Sequence, residues 1–175
     1  PKDPDWHHTA NSEIVIGREK FREWGEVFPR IRFATSNHGM RWIRKASAAE
    51  IPSQMLRAYQ DVLQAPEGWE WRDVWRVEAR HPFLVVHGVE FGGKTPYRLA
   101  AEIAAISVAF GHLHTSAGFC RVRTNDKCVW AMNTGCLIDV AAYAFAYQKT
   151  AKFKPTLGIG MVFNDGAMPV WIPYE

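Results

Sequence analysis

Cysteine is scarce in this sequence: Cys120, Cys128 and Cys136 are all there are, and no two stand at the spacing of a metal knuckle. A zinc site built from thiolates is therefore not expected. An odd set of three predicts reduced, partly buried thiols in a cytoplasmic protein rather than a disulfide framework. No apolar run approaches the ~18 residues of a membrane-spanning helix, so no membrane partner is expected. The opening stretch "PKDPDW" has neither the apolar core of a signal peptide nor an initiator methionine, and it predicts a fragment or a processed product. Repeats, low-complexity tracts and long linkers are absent too. The 175 residues suffice for one domain with a sizeable core, expected over residues 1–175. Excess charge is small. A net +3 with a pI near 8.9 is compatible with an anionic substrate but falls short of a polybasic nucleic-acid arm, and a merely solvated basic surface accounts for it equally.

Apolar and aromatic side chains are plentiful. The chain is 47% hydrophobic and 22% charged, an ordinary globular balance, and its eight tryptophans suggest large buried anchors or an aromatic surface. "NSEIVIGREKFREWGEVFP" predicts a helix capped by Asn11 or Ser12, with Ile16, Phe21, Trp24 and Phe28 at roughly helical intervals up to Pro29. "RIRFATS" predicts a short strand, and "SAAEIPSQMLRAYQDVLQ" a second helical region capped by Ser47 or Ser53. "WEWRDVWRVEARHPFLVVHG" reads as two strands turning at His81-Pro82, the second a continuous apolar run typical of a sheet buried on both faces. "TPYRLAAEIAAIS" is an amphipathic helix with Pro96 in its first turn, and "VAF" a strand ending at Gly111-His112. Hairpins follow, turning at Asn125-Asp126 and at Asp165-Gly166, with "IDVAAYAFAYQKTAKF" between them as a helix. Helices alternating with strands and then giving way to hairpins predict an α/β sandwich whose strand ends carry the site.

Three loops begin where a strand stops, and each carries metal-competent groups: Asn37-His38, His87-Gly88, and His112 with His114. Strand ends on one edge of a sheet converge, so these five residues are candidates for one pocket. Neutral imidazoles and an amide oxygen suit borderline divalent cations such as Mn, Fe, Zn or Ni. Other residues stay open between two readings. Trp69, Trp71 and Trp75 fit sheet packing or base stacking; Arg41, Arg44 and Lys45 fit a phosphate chain or a solvated helix start. His7 and His8 fit extra ligands or a terminal segment, and His81, before a proline in a turn, reads as structural.

The order "SNHG", "VVHG", "GHLH", each at a strand end, resembles the calcineurin-like metallophosphoesterases, the superfamily of the purple acid phosphatases and a branch of nucleases. Its pattern runs D-x-H, G-D-x-x-D, G-N-H-(D/E), H-G, G-H-x-H. The resemblance covers about Asp3 to Ile138, extends to "NTGC", and keeps Arg41 where phosphodiesterase and phage-type members often carry an arginine. It implies an α/β fold, the calcineurin-like α/β/β/α sandwich of mixed sheets. It also implies hydrolysis of phosphodiester or phosphomonoester bonds by a metal-activated water. Asn37, His87 and His112 would ligate one metal and His114 the other. His38 would be the catalytic histidine that stabilises charge on the phosphate, and Arg41 would bind substrate.

The D-x-H and G-D-x-x-D blocks, with their bridging Asp, are absent, Gly39 replaces the acidic residue that orients the histidine, and Ser36 replaces a glycine. The chain is thus expected to carry the C-terminal part of the fold without its first strand-loop-strand unit. It should hold one metal or fewer and be nearly inactive alone. Its open sheet edge should pair with another copy or a partner chain. The substrate is expected to be a phosphate ester, with a tilt toward nucleic acid or nucleotide. Two other readings stand beside the enzyme: a non-catalytic binding or scaffold module, and a mononuclear metal protein using Asn37, His87 and His112.

Overall fold

Thr9 opens the first helix. Its hydroxyl accepts the Ser12 N–H at 3.2 Å while its own N–H donates to the Ser12 hydroxyl at 2.8 Å, so the reciprocal cap forms on Thr9 rather than on Asn11 or Ser12. The computed structural model describes residues 9–123, 125–138 and 152–174, which fall into one unit within residues 1–72 and another within 73–175.

In the first unit, helix α1 (Ala10–Val27) precedes strand β1 (Ile31–Ala34), which pairs in parallel with β2 (Trp69–Arg72). The register sets Ile31 beside Trp69 and Phe33 beside Trp71. Phe21 of α1 meets Trp69 at 5.0 Å between ring centroids, but Ile16, Trp24 and Phe28 are exposed. The helical spacing of those apolar residues therefore reports the helix without reporting a buried face. Helix α2 spans Arg41–Ala48, a 3-10 turn covers Ser53–Met55, and α3 spans Tyr59–Leu63. The helical region expected from Ser47 to Gln64 is thus broken: α2 starts and ends earlier, and Pro52, with no N–H to donate, separates it from α3. The expected first strand of the "WEWRDVWRV" run also divides at Asp73, with Trp69 and Trp71 on β2 and Trp75 on β3.

In the second unit, β3 (Val74–Val77), β4 (Phe83–Val86), β5 (Ser107–Phe110), β6 (Gly118–Arg123) and β7 (Cys128–Asn133) form a mixed sheet in the order β3-β4-β5-β7-β6. Strands β4, β5 and β7 are mutually parallel; β3 and β6 run antiparallel at the edges. Helix α4 (Pro96–Ala104) covers one face, its Ala100 and Ala101 packed in one cluster with Val86, Val108, Phe110 and Ala131. The hairpin β8 (Gly158–Phe163) with β9 (Met168–Pro173) meets the other face over Phe83, Ala109, Trp130 and Met132. Sequestering both faces explains why β4 and β5 read as unbroken apolar runs. The fold class is mixed α/β around a five-stranded mixed sheet.

Trp130 ties the hairpin turn to the sheet, its indole N–H donating to the Gly166 carbonyl at 2.8 Å, while the His81 N–H donates to the Asp165 carbonyl at 2.9 Å. Of the cysteines, Cys120 and Cys136 are half-buried and Cys128 is exposed, which corrects the expectation that all three are partly buried. Most of the helix expected from Ile138 to Phe153 lies outside the described residues, as do His7 and His8. Among the described residues no helix is long and apolar enough to cross a membrane.

Phe110 sits at the centre of the face under α4, 2% exposed and 5.0 Å from the Phe91 ring. Phe110→Ala should cost about 3 to 5 kcal/mol by leaving a cavity the sheet cannot close. Urea denaturation followed by tryptophan fluorescence measures it, and a cost below about 1 kcal/mol would contradict this packing.

Candidate functional site

Parallel strands β4 and β5 stop side by side, with Val86 paired to Phe110. The ladder runs one residue further, where the Gly111 N–H donates to the His87 carbonyl at 3.1 Å. Gly88 then takes a φ of +92°, and a Cβ there would stand 2.8 Å from the Phe110 ring, so this crossing requires glycine.

On the β5 side, the Leu113 N–H donates back to the Gly111 carbonyl at 2.7 Å, closing a three-residue turn around His112, whose φ is +67°. A non-glycine residue at the centre of such a γ-turn is rare and strained, by about 1 to 3 kcal/mol. The turn brings His112 Nδ1 to 3.1 Å from His87 Nε2, with the rings 4.9 Å apart and 71° to one another.

The loop after His112 is anchored from three directions. Asn133, at the end of β7 and fully buried, donates from Nδ2 to the Leu113 and Ser116 carbonyls at 2.8 Å each, and its Oδ1 accepts the Gly135 N–H at 3.2 Å. The single hydroxyl proton of Tyr97, on α4, faces the Ser116 carbonyl at 2.7 Å and the Ala117 carbonyl at 2.9 Å. Thr156 donates its N–H to the His114 carbonyl at 2.7 Å. Burial pushes the Cys136 thiol up, so it stays protonated and lies 3.9 Å from that same carbonyl.

His87 and His112 thus come together, two loop ends meeting through one pair of ring nitrogens. His114 does not join them in a three-ligand group: among the described residues no three His, Cys, Asp or Glu side chains gather as metal ligands. A strand would aim His112 and His114 to one side, but the turn at His112 ends the extended geometry between them.

Asn37, His38 and Arg41 belong to the first unit, on the turn that leaves β1. Ser36 closes this turn: its hydroxyl accepts the Gly39 N–H at 2.9 Å and its carbonyl the Met40 N–H at 3.2 Å. The Arg44 guanidinium donates to the Asn37 carbonyl at 2.8 Å, while His38 is exposed and Arg41 begins α2 in solvent. Ser36 is therefore the residue that shapes the loop.

Asn133 and Tyr97 escaped the sequence reading as individual residues. "NTGC" flags the neighbourhood of Asn133, but nothing in "TPYRLAAEIAAIS" marks its tyrosine as a loop anchor. Compared with models of protein families and with curated proteins, the chain matches none.

Removing the Asn133 amide would leave the Gly135 N–H without this acceptor and take a close donor from each of the Leu113 and Ser116 carbonyls. Asn133→Ala should cost about 2 to 4 kcal/mol in denaturant titration and accelerate amide exchange over Leu113–Ala117. Unchanged exchange there would refute the anchoring role. Burial first, and the Cys120 charge second, hold the Tyr97 hydroxyl above its ordinary value near 10. The folded chain keeps that proton more tightly than the unfolded one, so the stabilisation is whole below about pH 10 and is lost as pH rises through the raised value. Tyr97→Phe should therefore flatten the alkaline fall in Tm; an unchanged slope would exclude this source.

Proposed function

We propose that this chain carries part of the dinuclear site of a metal-dependent phosphoesterase of the calcineurin-like kind, its fold part of an α/β/β/α sandwich, the reaction being hydrolysis of phosphodiester or phosphomonoester bonds with weak turnover by the chain alone. The observation that carries the reading is the His87–His112 pair, held at the ends of adjacent parallel strands by a strained turn. Two ring nitrogens 3.1 Å apart share either a proton or a cation. Neighbouring nitrogen ligands at 2.0–2.1 Å from one zinc-sized ion stand about 3.0 to 3.4 Å apart, so the pair fits two corners of a coordination shell. Imidazole nitrogens favour Mn, Fe, Zn or Ni over hard cations that require carboxylates. A bound cation supplies Lewis acidity toward a phosphoryl oxygen and acidifies water.

The chain's own groups divide the rest of the work. His87 and His112 would hold the cation. The resemblance assigns Asn37 to the same cation and His114 to a second one. His38, exposed on its turn, stabilises charge on the phosphate and protonates the leaving oxygen, and Arg41 pairs with the phosphate. These four assignments rest on the order "SNHG", "VVHG", "GHLH".

Calorimetric titration with Zn²⁺ and Mn²⁺, together with Mn²⁺-dependent hydrolysis of bis-p-nitrophenyl phosphate, tests the proposal. His87→Ala should lose both cation binding and turnover. His38→Ala should retain binding and lose about 10²- to 10⁴-fold in kcat, the range of a general acid. Equal inertness of wild type and both variants with every cation would overturn the enzyme. His112→Gly gives a second check: it removes a ligand and relieves the left-handed strain, so Tm should hold or rise while cation binding disappears. A large loss of stability would make His112 a packing residue instead.

A further inference from the structure

Within the first unit, the carboxyl end of β1 opens on a cavity of about 420 Å³. Three rings form one wall. Phe33 and Trp71 stack with centroids 4.6 Å apart at 10°, and Phe21 lies 6.4 Å from Trp71 at 17°, so the three are nearly parallel. All three are half-buried. Ile43 and Tyr59 stand on the lining too, and Thr35, Ser36 and Gln60 give it hydroxyl and amide groups.

The space is not explained as core. Among the described residues of this unit, Leu63 and Trp69 are the buried apolar ones, whereas the stacked rings of Phe21, Phe33 and Trp71 are half-buried and border a void. Apolar walls with a few polar groups, in this size range, are the usual make-up of a small-molecule site. The cavity also borders the turn at Ser36 and Gly39, which is followed in the chain by Arg41, Arg44 and Lys45 with no acidic residue before Glu50. A ligand with a flat ring and a negative charge matches both features.

We propose that this cavity takes the base of a nucleotide, stacked against the Phe33–Trp71 wall, with the phosphate at the Ser36–Arg41 turn. The placement of the phosphate rests on the phosphoesterase reading above. Stacking on aromatic faces tolerates any base, because every base has a π-face. The assignment is therefore to nucleotides as a class, with Thr35, Ser36 and Gln60 available to the ring edge.

Tryptophan fluorescence of the full chain, titrated with AMP and with ribose 5-phosphate at one salt concentration, reads the base contribution directly. AMP should quench saturably and bind at least tenfold more tightly than ribose 5-phosphate, from which it differs only in the base. Ala58 lines the cavity ahead of α3, and Ala58→Phe should fill the space and weaken AMP binding at least tenfold with the circular dichroism unchanged. No saturation by AMP, equal affinity for ribose 5-phosphate, or undiminished AMP binding by the variant each overturns the proposal. Self-association that Ala58→Phe abolishes, without AMP binding, would overturn it too and give the cavity to a second copy. Failure of the two readings is separable. Hydrolysis of bis-p-nitrophenyl phosphate without AMP binding sinks the nucleotide assignment alone, and AMP binding without hydrolysis sinks the phosphoesterase alone.

Discussion

The register of β4 against β5 governs the candidate site. With Val86 opposite Phe110, the next residues out are His87 and Gly111, and one further turn returns His112 to His87. A slip of one residue would send every side chain of the strand to the opposite face and part the two imidazoles. Sterics oppose that slip. Phe110 is buried beneath Gly88, which passes over its ring with no Cβ to spare, so an apolar contact fixes the position of a polar pair. The packing that stabilises the sheet and the geometry that aligns the histidines are one arrangement.

The turn at His112 needs support because it is costly, and the support comes from far along the chain. Asn133 gives both amide protons to the loop and takes the Gly135 N–H on its Oδ1, in a site with no solvent exposure. In a low-dielectric interior such bonds are strong when complete and expensive when broken. The neutral hydroxyl of Tyr97 adds a contact from α4. Backbone strain of this kind persists only where its surroundings over-determine it, and here a strand end and a helix share that task.

Local chemistry made much of this legible beforehand. Strands β1, β4 and β5, helix α4 with its early proline, and both hairpin turns stand where apolar runs and turn residues place them. The pairing of His87 with His112 follows from the rule that neighbouring parallel strands end together. Three features were beyond reach for a physical reason. A left-handed φ at histidine leaves no trace in composition, so the γ-turn that separates His112 from His114 was invisible. Asn133 and Tyr97 act across roughly twenty residues of chain, and a periodicity argument sees only near neighbours. The start of α2 at Arg41 was hidden because its half-buried residues, Trp42, Ile43 and Ala46, form a narrow stripe among exposed ones, while the small-residue run after it looked the better helix.

The two units are stabilised by different means, which bears on the roles assigned to their loops. The histidine pair stands on a sheet whose central strands are covered on both faces, the part of a protein that opens last. The Ser36–Arg41 turn stands on a two-stranded parallel sheet, with Arg32, Glu70 and Arg72 exposed on the side away from the rings. Parallel strands usually need cover on both faces. Here the cohesion comes instead from the aromatic cluster and a few long-range bonds, such as the Trp69 indole N–H donating to the Phe28 carbonyl at 2.8 Å and the Arg18 guanidinium to the Val62 carbonyl at 2.8 Å. A cation centre tolerates little drift among its ligands, since its bond lengths vary by only tenths of an ångström. The covered five-stranded sheet is therefore the firmer support for its two imidazoles, while the Ser36–Arg41 turn stands on a pair of strands held from one face.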